Sequence, residues 1–316
     1  MGKKPLTVVA FELGPDSLKF VEMARAERRV VAAGVFPLAP GRAHDREHLA
    51  AQLRSAIDVA GRGLPRHLIA SVPVGEAALR VLEAPAGLSD AEMRDHAAWD
   101  MSVYLGHPVT EFVLDVQPGP RRDGTGTRSL IAAALPSTDA LFLKETLETA
   151  TGLPLAALDV DAAALVNAFA ANYPELASGR TLLVLANTAA TTLIRTQGGA
   201  FHGALVRRDA GEALRAGAET QERAEGLLRL TRGLVESLHA GFDGWDAPEH
   251  ILLAGDLSTD ADFRELLKAH LPQGVAVLNP FRNIPGPDPL DQPEAYPGAP
   301  LAATVGLALR LAEELS

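Results

Sequence analysis

The sequence predicts an α/β chain made of two halves with like element order, the first interrupted by a small α+β insertion. Three observations lead there. Each half opens with three short strands on tight turns and continues into a helix and a further strand. A strand–helix–strand–strand stretch over about 76–136 breaks into the first repeat. The 316 residues are also 47% hydrophobic and only 22% charged, which is apolar material enough for a sizeable core.

Along the first half, the apolar run 7–13 reads as a strand. Gly14-Pro15-Asp16-Ser17 supplies turn chemistry, 18–23 continues extended, and 29–36 forms a third strand. Leu49, Leu53, Ile57 and Ala60 fall at helical spacing within a helix over 45–60. Gly61 and Gly63 stop it, and 67–72 is the next strand. In the insertion, 77–82 is extended. Ser89 caps a helix through Met93, Ala97 and Met101, and Glu92 completes a capping box. Strands over 111–117 and 128–134 follow, with a polar turn between Gly119 and Gly126. Trp99 lies among Ala97, Ala98, Met101 and Tyr104, and core packing is its expected role. A helix over 138–151, closed by Gly152, and a strand over 155–160 end the half.

The second half repeats the order. A helix over 162–171 precedes strands at 181–186, 191–196 and 200–206, the last two joined through Gly198-Gly199. Residues 212–242 are helical in composition, with breaks expected at Gly217, Gly226 and Gly233. A strand at 251–253, a helix over 263–271 and a strand at 275–278 complete the series. Prolines 285, 287, 289, 293, 297 and 300 mark a surface loop. Residues 301–315 read as a closing apolar helix. The expected domains are 1–160, carrying the insertion, then 161–298, with 299–316 returning to the first.

Composition excludes several classes. A formal net charge of -11 argues against a general nucleic-acid binder. The absence of cysteine removes disulfides, thiolate metal sites and a cysteine nucleophile. The run 6–13, interrupted by Glu12, is too short for a signal peptide or a membrane span; a cytoplasmic protein is expected. His44 and His48 have helical spacing but no metal-site context, so no metal ligands are assigned. No Gly-x-Ser-x-Gly elbow or triad is evident, and no catalytic residue is assigned.

The turns carry a resemblance. The stretch Ala10-Phe11-Glu12-Leu13-Gly14-Pro15-Asp16-Ser17-Leu18-Lys19 resembles the first phosphate loop of the actin-like proteins of type IV pilus assembly (the PilM family). That family lies within the sugar kinase, heat-shock and actin ATPase superfamily. Leu82-Glu83-Ala84-Pro85 with Leu88 to Glu92 is similar to the start of the family's inserted subdomain, and Asp115 to an aspartate at the end of the strand that follows. Leu158-Asp159-Val160, Asn279-Pro280-Phe281 and Gly306 to Arg310 match its later segments. The resemblance implies an actin-like, ribonuclease H-like fold of two duplicated domains with an inserted α+β subdomain.

Departures from the family pattern bear on the cofactor. In the family, phosphates sit between two glycine-containing hairpins, with a carboxylate positioning hydrated magnesium. If ATP and magnesium bound here, the resemblance would place them on Glu12, Gly14, Ser17, Lys19, Asn187, Thr191 and Gly255. Glu12 stands for an aspartate, Asn187 lacks the charge for magnesium, and Ala189 replaces a glycine that lets phosphate approach the backbone. Ala210-Gly211 is all that represents a later glycine pair, and Asp256 follows Gly255 with an unhelpful charge. Lys19 reads as either a phosphate contact or a solvent-facing strand residue, and Asp16 as a turn former. The expectation is no nucleotide and no hydrolysis.

The resemblance further implies a groove between the insertion and the first domain that takes the cytoplasmic tail of an inner-membrane assembly protein. Val81, Leu82, Phe112 and Leu114 are its candidate contacts, although alternation does not say which face is open. An acidic chain favours a tail with basic residues. The expected function is a non-catalytic adaptor of a pilus or related secretion system, peripheral to the inner membrane through its partner. The alternative is an ATP-binding actin-like protein with nucleotide-controlled assembly. A homo-oligomer is compatible with either.

Overall fold

A computed structural model describes residues 7–39, 41–60, 66–121, 126–208, 214, 220–239, 247–271, 274–287 and 298–315. The first half begins with strands β1 (Thr7–Leu13), β2 (Ser17–Ala24) and β3 (Arg29–Pro37), followed by helix α1 (Arg46–Val59) and β4 (Arg66–Val72). The insertion contributes β5 (Ala78–Pro85), α2 (Asp90–Leu105), β6 (Phe112–Arg121) and β7 (Thr127–Pro136). Helix α3 (Ser137–Thr151) and β8 (Leu155–Val160) close that half. The second half holds α4 (Asp161–Asn172), α5 (Pro174–Ala177), β9 (Arg180–Ala186), β10 (Thr191–Gln197) and β11 (Ala200–Arg207). It continues with α6 (Thr220–His239), β12 (His250–Ala254), α7 (Ala261–His270), β13 (Ala276–Val277) and α8 (Ala302–Glu314).

The repeat of element order is a repeat of topology. One five-stranded sheet runs β3-β2-β1-β4-β8 and the other β11-β10-β9-β12-β13. In each, the first three strands in sequence form an antiparallel meander, and the two later strands pair parallel beside it. Parallel pairing requires a crossover, which is why helices separate those strands in the sequence. Side-chain alternation shows how the layers stack. On β9, Leu182, Val184 and Ala186 join the core made with Leu227, Leu230 and Leu234 of α6 and Phe263 and Leu267 of α7. Leu183 and Leu185 point the other way, into the large core that also holds α4 and α8. Helices α4 and α8 pack against each other, α8 also against β1, β2 and β4 and α4 against β8 to β11.

That crossing depends on one residue. A Cβ on Gly306 of α8 would lie 1.8 Å from the Ala164 carbonyl oxygen and 2.8 Å from the Ala168 nitrogen of α4. The helices therefore meet backbone against backbone, a contact only glycine permits.

The insertion is a three-stranded antiparallel sheet, β5-β7-β6, with α2 on one face. Ser89 and Glu92 form the expected capping box, and Gly106 ends α2 in the left-handed conformation. Met93, Ala97 and Met101 bury against Leu82, Ala84, Leu130 and Ala132. Trp99 departs from expectation: it is 67% exposed, on the outer face of α2 with Val103. Core positions 93, 97 and 101 recur every four residues, which turns position 99 outward. Helix α6 also differs, running unbroken through Gly226 and Gly233. Each glycine costs roughly 1 kcal/mol, but the buried leucines on either side hold the helix. Gly61, Gly63, Ala210-Gly211, Gly217 and most of the proline-rich loop lie outside the described residues. Within its described part, Ile284 is buried and the Pro285 carbonyl accepts the Val30 N–H at 2.9 Å.

Candidate functional site

Two concavities arise from this arrangement: a cleft where the turns of the two five-stranded sheets face each other, and a groove beside the third sheet.

The cleft begins with hairpin arithmetic. The Gly14–Ser17 turn closes with the Gly14 N–H on the Ser17 carbonyl at 2.9 Å, pairing Leu13 with Leu18 and hence Glu12 with Lys19. Lys19 is 1% exposed, so it is neither solvent-facing nor free for an external anion. Its Nζ donates to Glu12 Oε1 at 3.0 Å and to Asn187 Oδ1 at 3.1 Å, and pairs with Asp256 Oδ1 at 3.1 Å. Burial alone would push the ammonium toward neutrality, but Asp256 and Glu12 outweigh that and hold it above the ordinary lysine value.

One side chain thus gathers the β1–β2 hairpin, the turn after β9 and the turn after β12. The surroundings reinforce it. Glu12 Oε2 accepts from Thr304 Oγ1 of α8 at 2.9 Å, and Asn187 Oδ1 also accepts the Asp256 N–H at 3.1 Å. Gly255 has φ +88°, and a Cβ there would fall 2.6 Å from the Ala186 carbonyl oxygen. Glycine is thus required where these two turns touch. Asp16, read as a turn former, also accepts from Thr188 Oγ1 at 2.9 Å, tying the hairpins a second time. Ser17 is half-buried at the turn, and Thr191 is buried at the start of β10.

Asp161, at the first turn of α4, completes the cluster and was not a sequence candidate. It is buried and accepts the Val74 N–H at 2.9 Å. Burial, then the neighbouring Glu12, push its carboxyl up to about 7, against the pull of two backbone N–H groups and Lys19. Residues that would have to receive a polyphosphate and its metal are therefore committed to one another. Three carboxylates, Glu12, Asp161 and Asp256, surround the single ammonium. A polyanion entering the cleft would have to displace the contacts that Lys19 already makes with Glu12, Asn187 and Asp256.

The groove lies between the insertion and the first half. The face of its sheet opposite α2 is turned to α3 and β8, enclosing an apolar cavity of about 370 Å³ lined by Val113, Leu135, Leu141, Leu155 and Leu158. Val113 is 55% and Leu141 56% exposed, so both present apolar surface to water. A second cavity of about 500 Å³ continues from it, sharing Asp115, Ala133, Leu158, Asp159 and Val160, and reaches Phe201 on β11. Here the lining turns polar: Arg310 of α8 pairs with Asp159 at 2.6 Å and with Glu314 at 2.9 Å. Strands β6 and β8 are both outer strands of their sheets beside this groove, and outer strands offer unpaired backbone groups to an extended segment.

Of the sequence candidates for this surface, Leu82, Phe112 and Leu114 face α2 and pack in the insertion's own core. Val81 has the other parity and packs against the main core. The groove takes Val113 and Asp115 from β6, together with Leu141 from α3, which sequence reading missed. Asp115 itself, quoted for its family resemblance, lines both cavities.

No protein-family model matches the chain. Among solved structures, it superposes on a PilM–PilN type IV pilus biogenesis complex with a TM-score of 0.81, at 21% identity, covering 96% of this chain and 98% of that one. The chain has the actin-like ATPase fold. Ethanolamine utilization protein EutJ from Carboxydothermus hydrogenoformans is similar at a TM-score of 0.55 and 12% identity, covering 96% of this chain and 90% of that one. Component A of the Acidaminococcus fermentans (R)-2-hydroxyglutaryl-CoA dehydratase reaches 0.52 at 8% identity, over 98% of each chain. The actin-like fold thus accommodates very different sequences. In the present chain Lys19 joins the turns that face each other across its cleft. No helix among the described residues is long and apolar enough to cross a membrane.

Proposed function

We propose that this actin-like chain is a non-catalytic cytoplasmic adaptor of a type IV pilus or related secretion system. It holds the extended cytoplasmic tail of an inner-membrane assembly protein in the groove between the insertion and the first half. The observation that carries this is the groove itself, with Val113 and Leu141 more than half exposed over an apolar cavity flanked by outer strands. Such a surface suits an extended segment that inserts apolar side chains and adds backbone hydrogen bonds along a sheet edge. Asp115, which lines both cavities, favours a tail with a basic residue beside its apolar anchors. The self-paired Lys19 cluster supports the absence of nucleotide chemistry. The likeness to the pilus complex is consistent with this partner class.

The test is calorimetric titration of the full chain with a synthetic peptide carrying the cytoplasmic tail of the inner-membrane pilus assembly protein from the same organism. The expected result is a micromolar-range affinity that falls about tenfold or more with Leu141→Asp, since a charge is forced into an apolar contact. Absence of binding, or binding indifferent to that change, overturns the groove reading. MgATP titrated into the same preparation is expected to give no affinity. A magnesium-dependent micromolar affinity would instead establish the nucleotide-controlled alternative.

A further inference from the structure

The groove and the cleft are joined by two short, rigid connections. In the first, β8 ends at Val160 and α4 starts at Asp161 with no residue between them. Asp159 lines the groove and pairs with Arg310, while Asp161, two residues on, sits in the buried cluster and holds the Val74 N–H. Val72 and Ala77, on either side of Val74, line the groove's apolar cavity. In the second, α8 places Thr304 on Glu12 in the cleft and Arg310 on Asp159 in the groove. Six residues of helix, roughly 9 Å of rise, separate these two contacts.

Between them, Gly306 presses on the α4 backbone at Ala164. The contact there is backbone on backbone, and close-packed interiors transmit strain. Helix α8 therefore has one contact in the cleft and one in the groove, and α4 starts between Asp159 in the groove and Asp161 in the cleft.

We propose that occupation of the groove and closure of the cleft are thermodynamically linked through the α4–α8 pair, so that the adaptor reports a bound tail to its second half without any nucleotide. The Lys19 cluster is the element that is biased: paired, it holds the turns after β9 and β12 against the β1–β2 hairpin; loosened, it releases them. Linkage is reciprocal, so a segment that repositions Asp159 or Arg310 changes the hold of the cluster, and loosening the cluster changes affinity in the groove by the same factor. This rests on the groove being the tail site for its biological meaning, but the linkage belongs to the chain alone and is measurable without a tail.

The experiment is hydrogen exchange by mass spectrometry on the full chain and two mild variants. Thr304→Val removes one hydrogen bond at the cleft end while keeping shape, and Arg310→Gln removes one ion pair at the groove end. Exchange is read over 155–163 at the groove floor, over 183–192 at the second hairpin, and over 29–37 as a region off the route. Thr304→Val is expected to raise exchange over 155–163, and Arg310→Gln over 183–192, each by roughly 3- to 30-fold, with 29–37 unchanged. Effects confined to the mutated end, or equal increases in all three regions, overturn the proposal. A peptide that fails to bind while the cross-effects appear would remove the tail reading and leave the linkage. A peptide that binds while they are absent would do the reverse.

Discussion

The cleft and the groove both contain carboxylates, yet they treat charge and water in opposite ways. In the cleft, Glu12, Asp256 and Asp161 are gathered around Lys19, and the ammonium is spent inside the molecule. In the groove, Asp159 and Arg310 neutralise each other at one end, while Val113 and Leu141 at the other stand in water without cover. A site that satisfies its own charges has little to offer a ligand. A site that leaves apolar side chains wet gains on being covered, at about 25 cal/mol per Å² of apolar surface removed from water. The proposed adaptor role accordingly rests on the surface beside the insertion rather than on the cleft between the two sheets.

The strongest way to break this comparison is to remove the cation. Lys19→Met leaves Glu12 and Asp256 buried without their partner, and the expected loss is about 3–5 kcal/mol in chemical denaturation. A loss under about 1 kcal/mol would mean that the cleft is wet and that its charges are screened.

Next in size is a pH effect carried by Asp161. Its folded carboxyl holds a proton up to about 7, whereas in the unfolded chain it ionises near 4. Between these values the folded state binds more protons, so stability is highest at the acid end and declines as pH rises toward 7. Relative to Asp161→Asn, the wild-type chain is expected to lose roughly 3 kcal/mol between pH 5 and pH 8. Parallel pH profiles for the two proteins, followed by denaturant melts, would contradict this.

The smallest expected effect is at Trp99. Removing so large a side chain from a core costs about 3–5 kcal/mol, but this one faces outward, so Trp99→Ala is expected to change stability by less than about 0.5 kcal/mol. A larger loss would place the ring in a contact that α2 does not make here.

These cases also divide what can be read in the chain from what cannot. Local rules found the capping box at Ser89 and Glu92, the order of elements along both halves and the helix stop at Gly152, because each depends on neighbours a few residues away. The pairing of Glu12 with Lys19 follows from the same kind of count, although Lys19 was expected to contact phosphate or solvent. Counting outward from the Gly14–Ser17 turn puts them opposite each other, and an opposite-charge pair on adjacent strands is a recognised stabilising contact. What turned that pair into a cluster joining three turns, Asn187 and Asp256, comes from 168 and 237 residues downstream of Lys19, beyond any local pattern. The groove failed for another reason. Both faces of the β5–β7–β6 sheet carry apolar residues, one toward α2 and one toward α3 and β8, so alternation gives two equivalent answers. Choosing between Phe112 and Val113 requires knowing where α2 lies.

The position of α8 has a consequence for how the protein is made. Residues 302–312 are buried except at Arg310, and they cover the inner face of a sheet whose strands are encoded in the first 160 residues. During vectorial synthesis that sheet waits for its cover while about 150 further residues are added. At about 5–20 residues per second the wait is on the order of ten seconds. Throughout it, Val8, Ala10 and their neighbours lack the helix that shields them. A helix made about 150 residues after those strands completes their cover, so the nascent sheet passes a long interval with that face open.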